Sequence, residues 1–506
     1  MSPIGSVIMI QGTSSSAGKS FLVAGLCRLL TQEGLRVAPF KAQNMSNNAF
    51  VTVEGHEIGR AQATQAQAAR VRPHVDMNPV LLKPEADQRS QVIVMGRPFA
   101  TLHAAAYQEV KEQVWHEVLG ALGRLRASYD VVVIEGAGSP AEINLKARDI
   151  SNMRVAKAVR APVLVVGDID RGGVFAHLYG TYHLLDPDEQ ALVRGFIINR
   201  LRGDPSLLEP GLRDIERLTG VPVVGVVPWI HDHGLPEEDA VALERRPPAS
   251  AGPFPGIDIA VIRLPRIANF DDFDPLEVEP DVRLRYVTSP AELEGADVVI
   301  LPGTNATIAD MAWLRQRRFE SAIGAAAAPG AAVIGICGGL QMLGERIDDP
   351  EGIESQEPSV TGLGLLPVTT RFRLEKTTRQ SVVSLSAWPG LLEGLPLTSL
   401  TGYEIHAGQT EIPPGQAVAW LEQGGPIGVT DEGGWTFACY LHGLFANDAL
   451  RQRVLENIAR RRGKRFTPRV LPPGDPFDRV ADVLRSSLNL PAIFALLEQG
   501  SGQWAR

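Results

Sequence analysis

Ala331-Ala332-Val333-Ile334-Gly335-Ile336-Cys337-Gly338-Gly339-Leu340-Gln341-Met342-Leu343-Gly344-Glu345 is the stretch on which the fold turns. A β-branched apolar run ends at Gly335, a cysteine and two glycines follow, and Leu340, Leu343 and Gly344 recur at helical spacing. This is the pattern of a strand, a tight turn and a helix. A side chain on such an elbow stands clear of the backbone, and the next amide N–H groups point at whatever attacks it. The Cys337 thiol is therefore placed as a nucleophile, although burial as a structural residue is the common fate of a free cysteine. The turn alone leaves both readings open.

A partner for the thiol lies about a hundred residues further on. Ala438-Cys439-Tyr440-Leu441-His442-Gly443 sets His442 just beyond a short apolar strand, and a cysteine–histidine pair activates sulfur as a thiolate–imidazolium couple suited to acyl transfer. Around these motifs, 257–262, 283–287, 297–301, 331–336 and 436–440 read as strands of one α/β unit. The Pro/Gly-rich run 246–256 before it has no periodicity and reads as a linker.

Residues 1–245 alternate β-branched runs at 6–10, 35–39, 130–134, 162–167, 194–199 and 222–227 with amphipathic segments, the signature of a parallel sheet covered by helices. After the first run comes Gly12-Thr13-Ser14-Ser15-Ser16-Ala17-Gly18-Lys19-Ser20. Small residues let backbone N–H groups wrap phosphate oxygens, Lys19 supplies charge at the β- and γ-phosphates, and the Ser20 hydroxyl is placed for Mg²⁺. The loop departs from the usual P-loop spacing, because the glycine expected at Thr13 stands at Gly12. Tyr129-Asp130-Val131-Val132-Val133-Ile134-Glu135-Gly136-Ala137-Gly138 ends a strand in Glu135, where a P-loop enzyme needs its metal carboxylate. Lys41, with Asn44, Asn47 and Asn48, follows the second strand at the edge where ligands enter an open α/β sheet. A polar surface loop accounts for those asparagines almost as well.

Composition narrows the class. A chain of 506 residues suggests two or three domains, and 44% hydrophobic with 21% charged residues describes an ordinary globular protein. The net charge of -9 without a clustered basic excess argues against a nucleic-acid partner and for small molecules. Cys27, Cys337 and Cys439 are too few and scattered for a disulfide framework or a metal cage, which suits a reducing cytoplasm. The apolar start Val7-Ile8-Met9-Ile10 lacks a basic flank and a cleavage site. The alanine-rich window from Ala322 to Leu343 is broken by Pro329 and glycines, so no membrane span is expected. His231 and His233 lack a third metal ligand and read as surface loop. The segment after about 450 reads as a mostly helical extension, 451–506.

Several stretches together carry a more specific likeness: Lys41-Ala42-Gln43-Asn44-Met45-Ser46-Asn47-Asn48, Glu135-Gly136-Ala137-Gly138-Ser139-Pro140-Ala141-Glu142-Ile143-Asn144-Leu145, Gly167-Asp168-Ile169-Asp170-Arg171-Gly172-Gly173-Val174-Phe175, Leu301-Pro302-Gly303-Thr304 and Gly402-Tyr403-Glu404-Ile405-His406. Over essentially its whole length the chain resembles the cobyric acid synthase family, the glutamine-dependent amidotransferases of cobalamin biosynthesis. The resemblance implies an N-terminal P-loop domain similar to dethiobiotin synthetase and a C-terminal class I glutamine amidotransferase domain. It implies ATP and Mg²⁺, L-glutamine and a corrinoid polycarboxylate, amidated at carboxylates b, d, e and g. By the same resemblance Cys337 is the glutaminase nucleophile, His442 its base, and the N–H groups of Gly338 and Gly303 the oxyanion donors. The usual triad glutamate, two residues past the histidine, is Leu444 here. Either the dyad works without that acid, or Glu404 or another carboxylate orients His442. The charged run holding Arg263, Arg266, Asn269, Asp271, Asp272 and Asp274 resembles the family too, and a domain-entry loop explains it as well. The related a,c-diamide synthases, a glutamine hydrolase with a degenerate synthetase half, and partition-type ATPases acting as nucleotide-switched modules are the alternatives. The sequence leaves the oligomeric state open.

Overall fold

The structure is a computed structural model, and it describes residues 4–86, 89–230, 234–236, 252–396, 399–422, 424–469 and 474–499. The proposed surface loop at His231 and His233 and most of the linker, 246–251, lie outside them. Two compact units emerge, one of residues 1–45, 57–238 and 472–506, the other of 46–56 and 239–471.

The first unit is a six-stranded parallel sheet of β1 (Ser6–Gly12), β2 (Val37–Phe40), β3 (Val131–Glu135), β4 (Val163–Asp168), β5 (Val193–Leu201) and β6 (Val223–Pro228), ordered β6-β5-β4-β1-β3-β2. Each expected strand is present, displaced by three residues or fewer. Strand alternation sorts the core into two layers: Val7 and Met9 pack on one face with Val118, Leu122 and Met153, and Ile8 and Ile10 on the other with Leu22, Leu26 and Leu29. The chain leaves β1 towards β2 and later returns to β4 on its other side. The carboxyl ends of β1, β3 and β4 thus flank the switch point where open α/β sheets receive ligands.

The expected extension 451–506 is divided in the structure. Helix Asp448–Arg462 packs in the second unit, whereas Pro476–Ser487 and Leu490–Gln499 cover the first, seating Val480 and Leu484 beside Gly25 of helix Lys19–Gln32. Arg28 of that helix is almost wholly buried and paired with Asp475 and Asp478. A small sheet of Gln43–Met45, Val80–Ala86, Arg89–Val94 and Arg97–His103 also belongs to the first unit and is invisible as βαβ patterning.

In the second unit β7 (Ile257–Ile262), β8 (Val282–Val287), β9 (Val298–Leu301) and β10 (Ala332–Ile336) form a parallel half-sheet. It is extended by β11 (Thr369–Leu385), β12 (Ser399–Glu411), β13 (Ala417–Leu421), β14 (Pro426–Thr430) and β15 (Thr436–Cys439). The order runs β8-β7-β9-β10-β15-β14-β13-β11, with β12 hydrogen-bonded to β11. β15 lies beside β10 and parallel to it, and hands the sheet on to antiparallel strands. That adjacency brings the end of β15 next to the end of β10.

Candidate functional site

The elbow is built by close backbone approach. A Cβ at Gly335 would meet Leu343 Cδ1 and Gly339, and one at Gly339 would collide with the Leu301 carbonyl, so the helix Gly338–Leu343 can start directly at the strand end only with glycines there. Cys337 occupies the turn with φ +51° and ψ −104°, a conformation that costs about 1–3 kcal/mol in a non-glycine residue and clusters at functional sites. Its N–H donates to Cys439 O at 2.9 Å, which fixes the elbow to β15. The sulfur is buried, 3.5 Å from the Ile405 carbonyl.

His442 is held from three sides. Its backbone exchanges hydrogen bonds with Tyr403, N–H to O at 2.9 Å and the reverse at 3.2 Å. Its ring stacks on the Tyr403 ring with centroids 5.3 Å apart and planes at 22°. Its Nδ1 lies 2.7 Å from Asp272 Oδ2, and the other carboxylate oxygen accepts the Gly443 N–H at 2.7 Å. With Nδ1 engaged, Nε2 is left for Cys337. Burial pulls the imidazolium pKa down, but the Asp272 charge and hydrogen bond, with Cys337 alongside, outweigh it and push His442 up to about 10.

Asp272 thus stands where the sequence left Glu404 or another carboxylate open. Glu404 is buried, but it accepts Arg379 Nε at 2.8 Å and Ser381 Oγ, and faces His406 Nε2 at 3.3 Å. Burial raises its pKa, yet these three partners bring it down to about 2. Glu404 orders the β11–β12 hairpin, and His442 takes Asp272 instead. No local sequence pattern links Asp272 to His442; only the fold joins them.

Gly303 and Gly338 flank the sulfur. A Cβ on Gly303 would stand 3.2 Å from His442 Cε1 and 3.8 Å from Cys337 Cβ, and one on Gly338 would press on Thr304. Behind them Gln341, one helical turn after Cys337, receives Thr307 Oγ1 at 3.0 Å and donates to Tyr440 Oη at 3.2 Å. The i to i+4 spacing that puts Gln341 on the Cys337 face was readable in the sequence.

In the first unit Glu135 is wholly buried at the end of β3 and gathers three donors: Ser20 Oγ at 2.8 Å, Lys41 Nζ at 2.9 Å and Gln65 Nε2 at 2.5 Å. Lys41 and Ser20 therefore meet on one carboxylate, and Gln65 is an addition that sequence reading missed. Lys19 Nζ donates to the carbonyls of Ser14, Ser15 and Gly138 at 2.9, 3.1 and 3.0 Å. Gly18 takes φ +91°, a left-handed conformation that glycine adopts without strain. The loop Thr13-Ser14-Ser15-Ser16-Ala17 is fastened to β5, whose Asn199 and Arg200 donate to Ala17 O and Ser16 O, each at 3.0 Å. A hydroxyl and a carboxylate 2.8 Å apart beside a phosphate-type loop form an all-oxygen donor set that fits Mg²⁺. Asn44 stays in this unit, bonded to Gln62, whereas Asn47 and Asn48 belong to the second.

A P-loop α/β unit and an α/β unit that gathers a cysteine, a histidine and an aspartate in one chain are the architecture of a two-part enzyme with one nucleotide-binding half. A family model described as the CobQ/CobB/MinD/ParA nucleotide binding domain matches residues 8–239, and one described as the CobB/CobQ-like glutamine amidotransferase domain matches 258–450. The chain is 51% identical to a cobyric acid synthase of Sorangium cellulosum over 95% of this chain and 96% of that protein. It is 50% identical to that of Chloroflexus aurantiacus over 96% and 98%, and 46% identical to that of Dehalococcoides mccartyi over 98% and 99%. The chain belongs to the cobyric acid synthase family and is an ATP-dependent glutamine amidotransferase. Among the described residues no helix is long and apolar enough to cross a membrane.

Proposed function

We propose that the chain amidates the b, d, e and g carboxylates of adenosylcobyrinic acid a,c-diamide in the cytoplasm, giving adenosylcobyric acid at the expense of four glutamines and four ATP. What carries this reading is the near-complete coverage at about half identity of relatives named cobyric acid synthase.

The Cys337 thiolate attacks the side-chain amide carbon of glutamine. The oxyanion is received by the N–H groups of Gly338 and Gly303. The His442 imidazolium, oriented by Asp272, gives its Nε2 proton to the departing ammonia, and then takes a proton from the water that hydrolyses the thioester, releasing glutamate. In the P-loop unit Lys19 and the loop N–H groups bind the nucleotide phosphates, and Ser20 and Glu135 are the residues that would hold Mg²⁺, which would supply charge neutralisation at the phosphates. A corrinoid carboxylate oxygen attacks the γ-phosphorus, ADP leaves, and the acyl phosphate is displaced by ammonia to give the amide and inorganic phosphate. Ammonia is mostly protonated in neutral water, so a sheltered passage to the acyl phosphate is part of this reading.

The test is to supply the a,c-diamide, glutamine and Mg-ATP and follow corrinoid mass. Four successive losses of about one mass unit, each an –OH replaced by –NH₂, are the expected result. An unchanged corrinoid under conditions where glutamine is hydrolysed sinks the substrate assignment.

A further inference from the structure

The glutaminase unit contains a piece of chain from far outside its own sequence stretch. Residues 46–56 follow the strand Gln43–Met45 of the first unit, yet they belong to the second. This strap is bonded to or packed on three segments that frame the Cys337–His442 pair. Asn47 Oδ1 accepts Asn305 Nδ2 at 2.9 Å, two residues past Gly303. Asn48 Oδ1 accepts the Phe270 N–H at 3.4 Å, and Ala49 N–H donates to Asn269 Oδ1 at 3.0 Å, at the head of the turn Phe270–Phe273 that bears Asp272. The Phe50 ring lies 5.2 Å from the Tyr403 ring, which in turn stacks on His442. The Val51 carbonyl accepts Gln380 Nε2 at 2.9 Å on the β11–β12 hairpin.

Asn269 is the centre of this arrangement. It is buried, adopts φ +51°, and besides receiving Ala49 it donates Nδ2 to Tyr403 Oη at 3.3 Å, while its carbonyl accepts the Asp272 N–H at 3.1 Å. One residue thus ties the strap to both the acid and the aromatic wall that orient the His442 ring. Asparagine is among the few side chains that tolerate the left-handed region, and its amide supplies both an acceptor and a donor.

We propose that the Ser46–Thr52 strap is a positioning element of the glutaminase, acting through Asn48 and Asn269 on Asp272 and Tyr403 and so on the His442 ring. It rests on the glutaminase reading of Cys337 and His442. A ring displaced by an ångström no longer meets both sulfur and departing ammonia, which costs about 10²-fold in rate without weakening substrate binding.

The experiment uses the full chain and two variants, Asn269→Gly, which keeps the left-handed backbone but removes both side-chain bonds, and Asn48→Ala. Glutamine hydrolysis and ammonia-driven, ATP-dependent amidation are measured on each. The expected result is a kcat for hydrolysis lowered ~10–100-fold, a KM for glutamine changed less than about threefold, and ammonia-driven amidation retained. Unchanged hydrolysis in both folded variants overturns the proposal. So does a parallel loss of both activities, which marks a general structural role. Absence of glutamine hydrolysis in the unsubstituted protein instead overturns the glutaminase reading and the proposal with it.

Discussion

Asp272 Oδ2 stands 2.7 Å from His442 Nδ1 across 170 residues of sequence, and both side chains are nearly inaccessible to solvent. A buried carboxylate on Nδ1 fixes the tautomer that faces Nε2 to the sulfur and stabilises the imidazolium. Replacing such an acid by its amide leaves shape intact but presents the wrong hydrogen-bonding partner. Asp272→Asn is therefore expected to lower kcat for glutamine hydrolysis by ~10²–10⁴-fold. Amidation driven by added ammonia should persist, and assaying both nitrogen sources on one preparation separates loss of chemistry from loss of fold.

The same pair sets a pH dependence. His442 is held at about 10, above its ordinary 6.5. A raised folded-state pKa contributes stability that is complete below about 6.5 and disappears as pH rises through about 10. In the proposed mechanism glutamine hydrolysis needs the imidazolium as the ammonia-releasing acid, so kcat should fall as pH climbs towards 10. In Asp272→Asn the supporting charge is gone and that alkaline limb should move towards neutrality. A limb that stays in place would show that Asp272 does not govern the His442 proton.

These expectations mark the boundary of what the sequence could carry. The elbow at Cys337, the P-loop to Ser20 and the strand ending in Glu135 are local patterns, since each places its chemistry within a dozen residues of one chain turn. All eleven strands expected from β-branched runs, six in the first unit and five in the second, are found within a few residues of their expected bounds, because burial on both faces demands continuous apolar residues. Asp272 had no such signature: it acts through a contact that only the packing of the Phe270–Phe273 turn against the end of β15 creates. The hairpin β11–β12 escaped notice because it is long, polar on one face and interrupted by charge. The placement of 46–56 in the second unit is likewise topological and has no compositional mark.

Glu404 offers a contrast to Asp272. Its carboxylate is held at about 2 although burial alone would raise it, because His406, Arg379 and Ser381 all bond the charged form. A depressed pKa contributes stability that is present above about 4.5 and lost as pH falls through about 2. Glu404→Gln is expected to cost ~2 kcal/mol at neutral pH, seen as a lower melting temperature, and to leave kcat for hydrolysis within ~10-fold of the parent. A loss as deep as that of Asp272→Asn would return Glu404 to the catalytic centre.

Gly339 tests the elbow itself. A Cβ there collides with the Leu301 carbonyl of the neighbouring strand β9, a backbone atom with no freedom to retreat, whereas the Cβ of Gly303→Ala would stand 3.2 Å from the edge of the His442 ring and 3.3 Å from the Ala268 carbonyl, a crowding that a shift of a few tenths of an ångström relieves. Gly339→Ala should therefore destabilise the folded chain by roughly 2–4 kcal/mol. Gly303→Ala should fold and lose hydrolysis through the displaced imidazole. Thermal melts paired with glutaminase assays distinguish the two, and a normally stable Gly339→Ala protein would refute the close approach of helix and strand.

Glu135 is the carboxylate proposed to hold the metal on the nucleotide side. Ser20, Lys41 and Gln65 all donate to this one buried carboxylate. Truncating it would take a carboxylate partner from the buried Lys41 ammonium, a loss of about 3–5 kcal/mol that confounds any assay. Glu135→Gln keeps the volume and removes the charge that a divalent ion requires. The expected outcome is ATP-dependent amidation reduced ~10²-fold or more, with a Mg²⁺ requirement shifted to higher concentration and glutamine hydrolysis by Cys337 still measurable. Amidation that saturates at the same Mg²⁺ concentration as in the parent would remove Glu135 from the metal site, leaving it only the structural task of burying Lys41.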